Sequence, residues 1–329
     1  MTLQNYLGIG AFSTPPATRR GSKNSGANHA LRHNPPRIKL LPVVKPKYVL
    51  DFKLIKDQIN RLLESVPNKL ELEWPKSRTA SSDPAFLVLL GTANIVSNTF
   101  KAIRLLCSDK SQDWRLRPEM ALVVPTLART ILDALYICIF LFKDLPSRAD
   151  WYVCSGWKEL AEYIDRARRD YASDPDWAEY LIDADTNLAS LAKLIAKPPD
   201  ELRRTRWWPT PHKMNSSTKS PTTAAFFGYL NDWFYREFSQ VSHGSLPGLI
   251  HTVGALRDLA KGEAAKLEQL RGYYSMQAVM LLITFYSEIE AELTIGVTSD
   301  LKYVWQMLIQ HNPFAKEIYD RRGYANRLT

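Results

Sequence analysis

Residues 234–244 read FYREFSQVSHG. Tyr235, Ser239 and His243 recur every four positions, so on a helix they form one stripe. Arg236 precedes His243 by seven residues, two helical turns, and shares nearly the same face. A stripe of this kind makes a poor solvent face and a poor apolar core, so its polar groups need partners. The residue types suit chemistry on a phosphodiester. An imidazole exchanges protons near neutrality, and an arginine can hold a phosphate through two parallel hydrogen bonds. Tyr235 and Ser239 can orient either group. The alternative is a hydrogen-bonded network that locks two helices together, with Arg236 on the surface or paired to a glutamate.

A second pair lies in the most apolar stretch, MALVVPTLARTILDALYICIFLF at 120–142. Arg129 and Asp133 sit four apart there, among Leu127, Ile131, Leu132 and Leu135. A charge pair in such company is expensive unless fully bonded, so it either fixes helix packing or faces a pocket. Two mid-helix charges and Pro125 argue for a buried core helix rather than a membrane span. The other chemistry-bearing residues read more plainly. Glu288 and Glu292 are four apart without a histidine partner and read as a solvated face. Trp207 and Trp208 lie in a Pro-rich segment and can either anchor a loop or stack bases. His29 and His33 have no helix or further ligands around them. No phosphate-binding glycine loop, dinucleotide fingerprint, HExxH or GxSxG motif occurs, so no metal and no cofactor is expected.

The elements that position these residues follow from composition and punctuation. The chain has 329 residues, 45% hydrophobic and 23% charged, enough for a sizeable core. Its net charge of +9 is uneven: residues 1–50 carry +8 and no acidic group, leaving +1 on the remainder. The basic character therefore belongs to a tail, read as disordered, which either solvates or binds RNA or an acidic partner. That tail has no apolar signal-peptide run, and prolines and glycines break any transit-peptide amphipathicity. Three cysteines without a CxxC pair fit a reducing compartment.

From Asp51 onward the periodicity is helical. Asp51 is expected to cap a helix carrying Ile55, Ile59, Leu62 and Leu63. Asp83-Pro84 starts the next, running to about Cys107. RPEM at 117–120 starts a third, running to about Leu141. Asp150 is expected to cap a helix to Tyr171, and SDPDW one from 173 to Ala196. Residues 198–221, with five prolines, read as a long loop. Thr222 or Thr223 is expected to open the helix that ends at His243, before Gly244 and Pro247. Helices over 247–260, 263–294, 300–310 and 312–321 complete an all-α antiparallel bundle.

Arg236-x6-His243 at the end of a bundle helix resembles the Arg-x(4–6)-His motif of the HEPN superfamily. The wider layout is similar to a HEPN-related bacterial family of unknown function. That family carries an apolar helix with an arginine and an acidic residue four later, here Arg129 and Asp133. A Tyr-x3-Ser-x3-His-Gly helix comes after it, here Tyr235, Ser239, His243 and Gly244. The likeness covers roughly 83–295. Together with composition and periodicity, which mark the tail and the flanking helices, it divides the chain into a tail (1–50), an N-terminal helix and linker (51–82), a HEPN-like bundle (83–297) and a C-terminal helical extension (298–329). The likeness implies a helical bundle that commonly forms homodimers and, in active members, a metal-independent endoribonuclease of toxin–antitoxin or phage-defence systems; the cysteine usage fits a cytoplasmic setting. RNA would be the substrate and an antitoxin or defence protein the partner. His243 would then be the general acid/base and Arg236 the phosphate ligand. A catalytically silent nucleotide- or protein-binding module is the other reading. The residue after Arg236 is Glu237, where active members often carry Asn, Asp or His, and an acidic group there would repel a phosphate.

Overall fold

The computed structural model describes residues 52–73, 83–107, 122–217, 220–243 and 245–328. The tail over 1–50, its 39–47 strip, His29, His33, Asp51, the RPEM segment and Gly244 lie outside the described residues. Among the described residues the secondary structure is entirely helical.

After a short 3-10 turn at Phe52–Leu54, α1 spans Lys56–Glu73, α2 Pro84–Leu106 and α3 Val124–Leu141. Next come α4 (Leu145–Tyr171), α5 (Pro175–Ile195), α6 (Pro199–Arg203) and α7 (Pro211–Ser217). α8 (Pro221–Leu230) runs through a π segment (Asn231–Tyr235) into α9 (Arg236–Ser242). α10 (Leu246–Ala260), α11 (Ala264–Leu293), α12 (Thr298–His311), α13 (Pro313–Arg322) and α14 (Tyr324–Arg327) complete the order.

Local chemistry explains the starts. Asp83, Asp174 and Asn312 each stand before a proline at the first helical position. Each accepts a backbone N–H of the first turn, from Ala85, Asp176 and Phe314 respectively. The cap satisfies an orphan donor, and proline removes another while presetting φ. Several ends are equally local: Ala196, Thr294 and Gly323 adopt left-handed backbone angles and stop α5, α11 and α13.

Three sequence expectations need correction. Asp150 is not a cap: α4 begins at Leu145, and the Asp150 carboxylate instead pairs with Lys197 Nζ at 2.6 Å. The 198–221 stretch is not one loop, because its prolines at 199 and 211 open the short helices α6 and α7. α8 is capped by Ser220, which accepts from Thr223 N at 3.3 Å, with Pro221 at the entry, rather than opened by Thr222 or Thr223.

The main core joins α1, α2, α3, α8, α9, α11, α12 and the C-terminal helices. A second apolar cluster lies between α4 and α5, around Trp157, Ile164 and Trp177. α3 is central and packs against α2, α9 and α11. It is long and apolar enough to cross a membrane, as is α2, but most of its apolar window is buried against other helices. α11 is apolar nearly all round from Ala278 to Ile289 and is enclosed accordingly. Several of its buried polar atoms are bonded, whereas Gln277 Oε1 and Glu290 Oε2 have no hydrogen-bond partner: Ser287 Oγ accepts from Trp305 Nε1 at 2.9 Å, and Glu290 Oε1 accepts from Val297 N and Thr298 N at 3.1 Å. An anionic acceptor at the start of α12 meets the positive end of that helix.

The Glu288 half of the Glu288/Glu292 expectation is also corrected, whereas Glu292 is exposed and pairs with Arg327 Nη2 at 2.8 Å. Glu288 is only 1% exposed and faces inward, where Arg322, Arg327 and Tyr324 all donate to it. The signal that defeats the solvated-face reading lies 34 to 39 residues downstream.

Candidate functional site

α3 and the α8–π–α9 helix cross so that one side chain meets the whole polar stripe. The Arg129 guanidinium donates from Nη1 to Ser239 Oγ (2.9 Å) and to His243 Nε2 (2.7 Å). Its Nη2 donates to the Tyr235 hydroxyl at 2.9 Å. The guanidinium carbon also lies 4.7 Å from the centre of the Tyr235 ring. Asp133, one turn on, closes the arrangement at 3.5 Å from Arg129 Nε. The four-residue spacing predicted the stripe, and the structure brings Arg129, Asp133, Tyr235, Ser239 and His243 into one cluster.

The π segment sets the phase of the stripe. Arg236 N bonds to the Asn231 carbonyl, a five-residue span in place of four. One extra residue rotates the rest of the helix by about 100° relative to an unbroken α-helix. Before the insertion the helix buries Phe226, Phe227 and Leu230. After it, Phe234 and Phe238 take the core side, and Tyr235, Ser239 and His243 face Arg129. α3 braces the bend: the Tyr136 hydroxyl donates to the Phe227 carbonyl at 3.2 Å, and its ring meets Tyr235 edge-on at 6.2 Å.

An arginine has no acceptor atom, so His243 Nε2 is the acceptor and the ring hydrogen sits on Nδ1. His243 is nonetheless exposed, at the mouth of an open concavity of about 370 Å³. Arg236 lines the same concavity with its side chain 68% exposed, and its ion pair to Asp232 is loose at 3.7 Å. An exposed pair of this kind contributes little, so Arg236 can swing to a ligand at small cost. Tyr235 and Ser239 also line it, and Asn231, Gln240 and Ser245 complete the lining. No sequence signal marks these three, because their approach depends on the π turn and on the corner into α10.

Burial pushes the Asp133 carboxyl above its ordinary range, and Arg129 and His243 pull it back only in part. Glu237, expected to repel a phosphate, points away from the concavity. It accepts from the Tyr273 hydroxyl at 3.0 Å and lies 3.5 Å from Gln277 Nε2, both on α11. Burial raises its carboxyl as well, against those hydrogen bonds. Trp208 is a loop anchor, packed on Phe140, Trp151 and Tyr152, whereas Trp207 stays 46% exposed. Among the described residues no three His, Cys, Asp or Glu side chains converge as a metal-binding group.

No family model, curated protein or solved structure matches this chain.

Proposed function

We propose that the Arg236–His243 concavity cleaves RNA by attack of a ribose 2′-hydroxyl on the neighbouring phosphate, as the HEPN resemblance implies. One observation carries this reading. Two exposed groups of the right chemistry, a guanidinium and an imidazole, share one open concavity, and a second guanidinium stands directly behind the imidazole.

In this scheme Arg236 takes the scissile phosphate, and Arg129 turns from His243 toward the same negative charge. That releases His243 Nε2, which accepts the 2′-hydroxyl proton as the oxygen attacks phosphorus. The two guanidinium groups stabilise the charge that builds on the phosphorane. His243 gives up the proton it has taken, through solvent, to the departing 5′-oxygen, and the products are a 2′,3′-cyclic phosphate and a 5′-hydroxyl. A homodimer, an antitoxin or defence partner and a cytoplasmic setting belong to the same proposal.

A second reading has its own observation. In the free chain the Nε2 lone pair already accepts from Arg129, which suits a silent module that binds a nucleotide or protein and does no chemistry. The two part in a simple assay. Purified protein is incubated with total RNA in excess EDTA, wild type beside His243→Ala, and the product ends are analysed. Cyclic phosphate ends that vanish in the variant are the expected result. Absence of cleavage by folded wild-type protein would leave the binding module.

A further inference from the structure

We propose that the segment between α6 and α7 is a second site, a stacking platform for single-stranded nucleic acid built on Trp207. Residues 203–213 read RRTRWWPTPHK, with four basic residues and no acidic one. Residues 205–210 form no helix, yet α4 pins them at three points. Trp151 Nε1 donates to the Arg206 carbonyl at 2.6 Å, Lys158 Nζ to the Thr205 carbonyl at 3.0 Å, and Trp208 N to Ser155 Oγ at 2.7 Å. Trp208 plugs the segment into an aromatic pocket, its ring centre 4.9 Å from Tyr152 and 5.3 Å from Phe140.

The neighbouring indole does the opposite. Trp207 is 46% exposed, with Lys158 Nζ 4.7 Å from its ring centre. Arg204 and Arg206 are exposed in the same segment, the Arg206 guanidinium carbon 5.6 Å from the Trp151 ring centre, and among the described residues neither has a carboxylate within ion-pair distance. An apolar anchor would not need one tryptophan in and the next out on a fixed backbone. A flat ring held open among cations on a rigid strip is what a base and its phosphates require. Rigidity matters because a pinned loop loses little freedom when it binds. Phe140, which meets Trp208, lies on α3 about 16 Å along the axis from Arg129. The platform and the concavity are therefore distinct places. The choice of RNA over DNA rests on the function proposed above, whereas the stacking does not.

The test is binding of a fluorescent 12-nucleotide single-stranded RNA to the full chain carrying His243→Ala, so that cleavage plays no part. The basic N-terminal residues are the same in every protein compared. Trp207→Ala should weaken binding roughly tenfold, with the dependence on salt unchanged, and Trp207→Phe should restore most of it. Arg204→Ala with Arg206→Ala should instead lower the salt slope by about 1.4, two phosphate contacts' worth on a single strand. Preference for the single strand over a duplex of the same sequence should disappear with Trp207→Ala. Circular dichroism melting should be unchanged, since Trp207 is not the anchor. Equal binding by wild type and Trp207→Ala, or no binding by either, would overturn the proposal. So would a polyglutamate peptide that binds as tightly as RNA and depends equally on Trp207, which would make the partner an acidic protein.

Discussion

Arg129 and His243 stand 114 residues apart in the chain and meet at 2.7 Å, Nη1 to Nε2. The same guanidinium holds Tyr235 and Ser239. One side chain on α3 therefore fixes three on α9 and the residues flanking it, and it decides which His243 nitrogen carries the hydrogen.

Arg129 should thus be structural as well as functional. Its side chain is 17% exposed and makes three directed hydrogen bonds. Removing a charged donor from such a site costs about 2 kcal/mol. Arg129→Ala should lower stability by roughly that amount in urea, and Arg129→Lys should recover only part of it, because an ammonium lacks the planar fork. An unchanged midpoint for Arg129→Ala would show that the cluster is not held by this residue.

Glu237 should oppose stability at neutral pH. Burial raises its folded-state carboxyl above the usual value, in spite of the Tyr273 and Gln277 contacts. The folded chain then keeps a proton that the unfolded chain has released, so stability falls as pH rises from the ordinary carboxylate range through the raised value. Glu237→Gln should melt at a higher temperature than wild type at pH 7 and at the same temperature at pH 3. A lower melting temperature at pH 7 would mean that the charged form is the one the fold prefers.

Glu288 carries the opposite sign. Burial alone would raise its carboxyl, but Arg322 and then Arg327 outweigh that and hold it below its usual value. This contribution is present above the ordinary carboxylate range and is lost as pH falls through the lowered folded value. Glu288→Gln leaves two arginines without their shared partner, in a place where Glu288 is 1% and Arg322 10% exposed. A loss of about 3–5 kcal/mol is expected by urea denaturation at pH 7. A loss below about 1 kcal/mol would contradict the view that the C-terminal helices are clamped through this carboxylate.

Gly248 should tolerate no side chain. A Cβ there would lie 2.1 Å from the Gln240 carbonyl oxygen, a backbone atom that cannot rotate aside. Ser245 already spans this corner, donating from Oγ to Gln240 O at 3.0 Å. Gly248→Ala should push α10 off α9 at a cost of about 1–3 kcal/mol and displace the Ser245 wall of the concavity. Thermal melting read beside RNA cleavage checks both effects, and wild-type values in both would refute the close approach.

Two kinds of information separate here. Where a helix starts is a contest between a side chain and its own next few backbone amides, so Asp83-Pro84, Asp174-Pro175 and Asn312-Pro313 were legible in the sequence. The Tyr235, Ser239, His243 stripe was legible for the same reason, since helical periodicity is local. That Arg129 and Asp133 belong with the stripe came only from the resemblance of the layout, and their spacing alone did not show that they lie across from it. Arg129 reaches it only because α3 packs against α9, and nothing near either residue encodes that crossing. The π turn at Asn231–Tyr235 has no sequence mark, yet it sets which face Tyr235 presents. Glu237 and Glu288 show the same limit: in sequence one reads as an acidic group set against a phosphate and the other as part of a solvated face, and both are drawn inward by partners 34 to 40 residues away. Local sequence sufficed for an all-helical chain and for the residues that carry chemistry. Tertiary packing chose which of them meet, because a buried polar group goes where its hydrogen-bond partner is, however distant in the chain.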